Sequence, residues 1–312
     1  MSDGSTGTKP PAAPFLWTSL GISVFAISAA APLIIRAGAP APVTSLWRML
    51  GAGIVLFAWA LVTQRPFFAR LNARDLGALF VSGNLLALHY LFWIASLSRT
   101  SVVSSTVLVT TNPLWVGLGA WIFLREPPTR RTWIAVAVGI AGAVLLAVAD
   151  ANDAGASKES LSGDAMALAA ALAGSGTMLY GRKLRASMPT VFYQGFVCLF
   201  AVPLVVATIA ATHAPVAPAS GEQALLLLAI MVLPQLVGNT ILSWALGFLT
   251  APRVALVILG EPIGASLLAW LFVGQTPHLA ALPGSALVLA AVVLDVVQPM
   301  RDPREHDDGR PV

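Results

Sequence analysis

The run "LGEPIGASLLAWLF", residues 259–272, sets one carboxylate in a stretch otherwise apolar enough to cross a membrane, and a near copy, "TTNPLWVGLGAWIF", occupies residues 110–123. At the offset of 149 that joins them, Pro113 falls on Pro262, Ala120 on Ala269, Trp121 on Trp270 and Phe123 on Phe272. The register continues outward, with Leu97 on Leu246, Pro128 on Pro277 and Gly142 on Ala291. Nearer the start of each half an offset of 146 aligns Thr44 with Thr190, Trp47 with Tyr193 and Arg36 with Arg182. Scattered Ala and Leu identities mean little in apolar sequence, but a shared Pro and Trp in one register point to an internal duplication. The polar stretch "DANDAGASKESLS", residues 150–162, is its natural midpoint.

The chain has 312 residues, 57% hydrophobic and 10% charged, against about 45–50% and about 25% for a soluble domain. A membrane protein is expected. A bilayer core of about 30 Å needs about 20 mostly apolar residues per helix, and ten such runs are present: 15–35, 43–63, 76–97, 101–124, 132–149, 163–183, 189–211, 222–246, 252–273 and 280–298. Hydrocarbon cannot satisfy exposed backbone groups and the alternation of barrel strands is absent, so the fold class is an all-α membrane protein. The first run ends in "SAAAP", which imitates a signal-peptidase site, but its length favours an uncleaved helix. Five helices per half is an odd number, so the second half enters the membrane from the opposite side and the repeats are inverted.

The net charge of +4 reports orientation rather than a polyanionic partner. Counted outward from a cytoplasmic N-terminus, 14 of the 18 basic residues lie in inside loops, and only Arg36, Arg99 and Lys158 lie outside. Both termini are therefore expected in the cytoplasm. The expected organisation is a disordered N-terminus (1–14), a first repeat (15–149), an external linker (150–162), a second repeat (163–298) and a disordered tail (299–312).

The "TNPLWVGLGAWIFLREPP" block, the five-plus-five layout and "LWRMLGAGIVL" in the second helix resemble the EamA family of the drug/metabolite transporter superfamily, over nearly the whole chain. That family's pattern has a Gly-Glu pair after the fourth and ninth helices. Here "LREPP" keeps Glu126 while "VGQTP" carries Gln275, so this glutamate is not essential in both halves. "ALHYLFWIAS" followed by "TTNPLW" is most similar to the YddG-like exporters of aromatic amino acids. The resemblance implies a bacterial inner-membrane exporter of amino acids, with aromatic ones favoured and no cofactor. Its expected partners are that small-molecule substrate and the lipid bilayer, with no nucleic acid and a monomer as the working state.

Glu261 is the sharpest candidate, because an intramembrane carboxylate normally faces a cavity or a partner. It fits an ammonium partner, a proton carrier or a structural group equally by type. Asn112 is its repeat mate, and Pro113 and Pro262, which follow the two, lack an N–H and suit kinked helices lining a cavity. His89 and Trp93 share one face of the third helix, with Tyr90 beside them. Trp115 shares the face of Asn112 and could stack on an aromatic ring or a cation. Gln235 and Asn239, four apart, form a polar rung for a ligand or an interhelical hydrogen bond. Asn84 and Tyr180 are further candidate substrate contacts. Arg48, about one turn inside the external end of the second helix, is read as snorkelling outward, with a substrate-carboxylate role as the alternative; its mate at the 146 offset, Gln194, carries no charge.

Enzyme and cofactor signatures are missing. "LAGSGT" lacks the glycine spacing of a nucleophile elbow, no GxxxxGK[ST] loop supports direct use of ATP, and four scattered His with Cys198 make no metal cluster. Two other functions stay open: a multidrug exporter of lipophilic cations, with Glu261 as countercharge, and a non-transporting receptor or scaffold.

Overall fold

The computed structural model describes residues 11–100, 105, 108–109, 111–150, 158–261, 263–265, 267–268 and 282–296. Among them the structure is all-helical. The helices are α1 (Ala13–Ala37), α2 (Ala41–Thr63), α3 (Ala73–Ser96), α4 (Asn112–Leu124), α5 (Arg130–Asp150), α6 (Lys158–Arg185), α7 (Thr190–Thr212), α8 (Gly221–Ala245), α9 (Ala251–Ile258) and α10 (Leu282–Val296), with one extra turn at Arg65–Phe68. Of these, α1, α2, α3, α7 and α8 are long and apolar enough to cross a membrane.

Local chemistry sets the helix starts. Asn72 caps α3 by accepting from the Asp75 amide, and Ser220 caps α8 by accepting from the Gln223 amide. Pro stands in the first turn of α1, α2, α4 and α9, where its missing N–H costs nothing. Gly38 closes α1 in the left-handed region at φ 58, a conformation glycine adopts freely.

The pairing of elements repeats across the halves. α2 packs on α7 and α5 on α10, while α3 with α6 mirrors α8 with α1. Helices approach closely where glycine permits it. A Cβ on Gly195 would lie 2.9 Å from the Phe57 amide nitrogen, one on Gly83 2.7 Å from the Val197 carbonyl, and one on Gly142 2.8 Å from the Gly284 carbonyl. Phe57, Phe68, Phe192, Phe196 and Phe200 interlock mainly edge-on between α2, the extra turn and α7. Large apolar side chains such as Val62 and Phe123 cover the outer faces, as a lipid-facing surface requires.

Three expectations change. The 146 offset fails: α2 and α7 are both 23 residues long and start at Ala41 and Thr190, so the single offset of 149 carries one onto the other. The earlier matches of Thr44 and Arg36 were chance identities of common residues, and the mate of Arg48 is Val197 rather than Gln194. Second, α6 begins at Lys158, inside the stretch read as a linker. Third, the ninth run is not one smooth helix. α9 stops at Ile258, Leu259 and Gly260 form a turn, and helical conformation resumes at Glu261. Pro262, expected to kink this helix, lies outside the described residues, as do residues 1–10, 151–157 and 297–312.

Candidate functional site

A cavity of about 170 Å³ lies between the two halves. Its walls come from α1, α2, α3 and α4 of the first repeat and α6, α7, α8 and α9 of the second; none of the lining residues belongs to α5 or α10. The repeat axis runs through it: Asn112 and its mate Glu261 both line it, as do Tyr90 and Asn239, and Val109 and Ile258.

Asn112 and Glu261 are presented in the same way. The turn at Thr111 precedes Asn112 as the turn at Leu259–Gly260 precedes Glu261, so each polar side chain stands at a helix restart in one register. Pro113 explains the first break, since it has no N–H to give to the carbonyl of Val109. The Asn112 Nδ2 donates to the Ala171 carbonyl at 3.3 Å, while its Oδ1, also buried, has no hydrogen-bond partner. The main-chain carbonyl of Glu261 receives the Ser28 hydroxyl at 3.0 Å, tying that segment to α1.

The α3 residues form the aromatic wall. His89 and Trp93 stack with rings 11° from parallel, and His89 meets Tyr90 edge-on. The His89 Nδ1 lies 2.8 Å from the Ala170 carbonyl; a carbonyl only accepts, so Nδ1 carries a proton. Tyr193 adds a second aromatic surface from α7, and its hydroxyl is 3.0 Å from the Ser82 hydroxyl. Beside it Gln194 accepts from the Ser243 hydroxyl at 2.8 Å.

Arg48 does not snorkel. It is 1% exposed and lines the cavity, with its guanidinium carbon 3.9 Å from the centre of the Tyr90 ring. Sequence placed it near a helix end, where a long basic chain ordinarily reaches water; instead the side chain is laid inward against the Tyr90 ring of α3. Gln235 lies behind it, accepting weakly from Arg48 Nη2 at 3.5 Å and giving its own Nε2 to the Cys198 sulfur.

Gln235 therefore backs the cavity rather than lining it, and it stays in touch with Asn239, whose Nδ2 donates to the Gln235 Oε1 at 3.4 Å. Residues Met231–Asn239 of α8 form a π-helical segment containing Pro234, a deviation often found at functional sites. Asn239 lines the cavity and donates from Nδ2 to the Pro234 carbonyl at 2.7 Å. Trp115, Tyr180 and Asn84 are also away from the cavity lining. Trp115 donates to the Thr111 hydroxyl at 3.0 Å, and Asn84 donates to the Phe80 carbonyl of its own helix at 2.9 Å. The structure thus brings together Glu261, His89, Trp93, Tyr90, Asn112, Asn239 and Pro113, and adds Arg48, Tyr193 and Gln194. Their signal in sequence was a basic residue and a glutamine inside apolar runs.

Comparison with known proteins agrees with this architecture. The model of the EamA-like transporter family matches residues 14–148 and again 161–296, one match per repeat. The uncharacterized transporter YdfC of Bacillus subtilis (strain 168) is 24% identical over 260 residues, 80% of this chain and 79% of that protein. A protein of known crystal structure, 19% identical, superposes with a TM-score of 0.72 over 90% of this chain and 96% of its own, a likeness of fold. With both halves matched by one family and the cavity set between them, this chain belongs to the EamA-like transporter family.

Proposed function

We propose that this chain is a secondary transporter that exports amino acids, aromatic ones favoured, across a bacterial inner membrane by alternating access. In this reading ten spans form two inverted five-helix repeats with both termini in the cytoplasm, and rocking of the halves exchanges the exposure of a fixed central site. The observation that carries it is the composition of the cavity. Tyr90, Trp93 and Tyr193 offer ring faces, and Glu261 with the Asn112 Oδ1 offers acceptors for an ammonium group. The cavity of about 170 Å³ is smaller than the roughly 300 Å³ at which drug-sized pockets begin, which favours a compact solute over a bulky lipophilic cation.

The test is counterflow in proteoliposomes. Labelled phenylalanine or tryptophan exchanges through the wild type, tetraphenylphosphonium does not, and Glu261→Gln raises the KM for phenylalanine at least tenfold. Movement of tetraphenylphosphonium without either amino acid would establish the multidrug function instead. Flux of no organic solute would leave a receptor or scaffold.

A further inference from the structure

Among the described residues Arg48, Arg182 and Arg253 are buried, and the first two lie in opposite circumstances. Arg182, 7% exposed, is ion-paired to Glu126 at 3.0 Å and donates Nη1 to the Leu246 carbonyl at 3.1 Å. Arg48 is still more deeply buried, and among the described residues no ion pair joins it to Glu261 or to any other carboxylate. Its Nη2 makes one long bond to Gln235, and its Nε and Nη1 have no hydrogen-bond partner.

A guanidinium cannot shed its proton to escape burial, and a buried charge without a partner is strongly disfavoured. The Tyr90 ring against the guanidinium offsets part of that cost through its quadrupole. It leaves the N–H groups unused. Across the same cavity the unmet need is of the opposite kind: the Asn112 Oδ1 is an acceptor without a donor, and Glu261 supplies a carboxylate.

We propose that Arg48 is the anion-recognition residue of the transport site, taking the carboxylate of the solute through Nε and a terminal nitrogen, while Asn112 and Glu261 receive its ammonium group. The proposal rests on the amino-acid reading above and sharpens it. The solute must carry a carboxylate, since only an anion supplies what Arg48 lacks, and a fork-to-fork pair is the strongest form of that contact. The same residue repels a solute that is only a cation, so one side chain both attracts the right class and rejects the competing one.

The experiment is a binding measurement by calorimetry on the purified full chain in detergent, with phenylalanine, 3-phenylpropionate, phenethylamine and 4-methylpentanoate as probes. The wild type binds phenylalanine and 3-phenylpropionate. Arg48→Gln weakens both at least tenfold, about 1.4 kcal/mol, and does not weaken phenethylamine. Arg48→Lys keeps the charge but loses the planar fork, and weakens both carboxylates by roughly three- to tenfold. Should Arg48→Gln fail to fold, as read by thermal unfolding, Arg48→Lys carries the test. Carboxylate affinities within twofold of wild type in whichever variant carries the test overturn the proposal. So does tighter wild-type binding of phenethylamine than of phenylalanine, or binding of none of the four. Binding of 4-methylpentanoate that depends on Arg48, with no binding of phenylalanine, upholds Arg48 and overturns the aromatic amino-acid reading instead.

Discussion

Arg182 grips both carboxylate oxygens of Glu126, with Nε at 3.2 and 3.3 Å and Nη2 at 3.0 Å from Oε1, and so ties the end of α6 to the loop after α4. The other ion pair among the described residues, Arg36 with Glu222, has both side chains about two-thirds exposed, at 67% and 66%. Removing one partner of a buried pair leaves a charge without compensation, whereas exposed pairs contribute about 0–1 kcal/mol. Glu126→Gln is therefore expected to cost about 2–4 kcal/mol and Glu222→Gln less than about 1 kcal/mol. Thermal unfolding in detergent checks both, and the double variant Glu126→Gln with Arg182→Gln regains part of the loss if the two are coupled. Equal effects of the two single variants would show that the buried pair has no special weight.

Glycines divide into two groups by what surrounds them. A methyl on Gly83 or Gly195 would strike the backbone of the facing helix, while Gly21 and Gly77 have nothing within 4 Å. Gly83→Ala and Gly195→Ala are expected to destabilise by about 1–3 kcal/mol through forced separation of helices. Gly21→Ala and Gly77→Ala are expected to be neutral or to stabilise by up to about 1 kcal/mol. The same unfolding assay orders the four.

Gly174 tests the cavity without deleting a polar group. Its added methyl would stand 2.8 Å from His89 Nδ1 and 3.2 Å from Asn112 Nδ2. Gly174→Ala is expected to displace both side chains and raise the KM for phenylalanine counterflow about tenfold, with a loss of stability of about 1–3 kcal/mol. An unchanged KM would mean that His89 and Asn112 do not set affinity.

Orientation is open to direct labelling, because the protein's own thiol, Cys198, is buried and gives little background. In intact cells an impermeant maleimide is expected to label Ser157→Cys and to spare Ser5→Cys and Asp307→Cys until the membrane is opened. Labelling of Ser5→Cys alone among the termini would put them on different faces and end the inverted-repeat topology.

The fold was legible where chemistry is repetitive. Apolar run length gave the helices, and the Pro and Trp of the two near copies gave the 149 register that α2 and α7 obey. The site was legible where a polar group interrupts such a run, as Glu261, Asn112 and His89 do. What could not be read was geometry that depends on neighbours. A period of 3.6 placed Gln235 and Asn239 on one face, and the two side chains do meet at 3.4 Å, but that Gln235 sits behind Arg48 rather than on the cavity wall depends on the neighbouring α2. The position of Arg48 within its helix suggested an exit to water, and only the structure shows the side chain buried and laid against the Tyr90 ring of α3.

The two halves are alike in backbone but not in what they carry inward: Val197 stands at the position equivalent to Arg48, and Asn112 at the one equivalent to Glu261. A shell with true twofold equipment would accept a guest head-first or tail-first with equal ease. Here the duplicated frame has a single heading, so under the proposed alternating access a bound solute would keep one direction relative to the protein while the compartment it sees is exchanged.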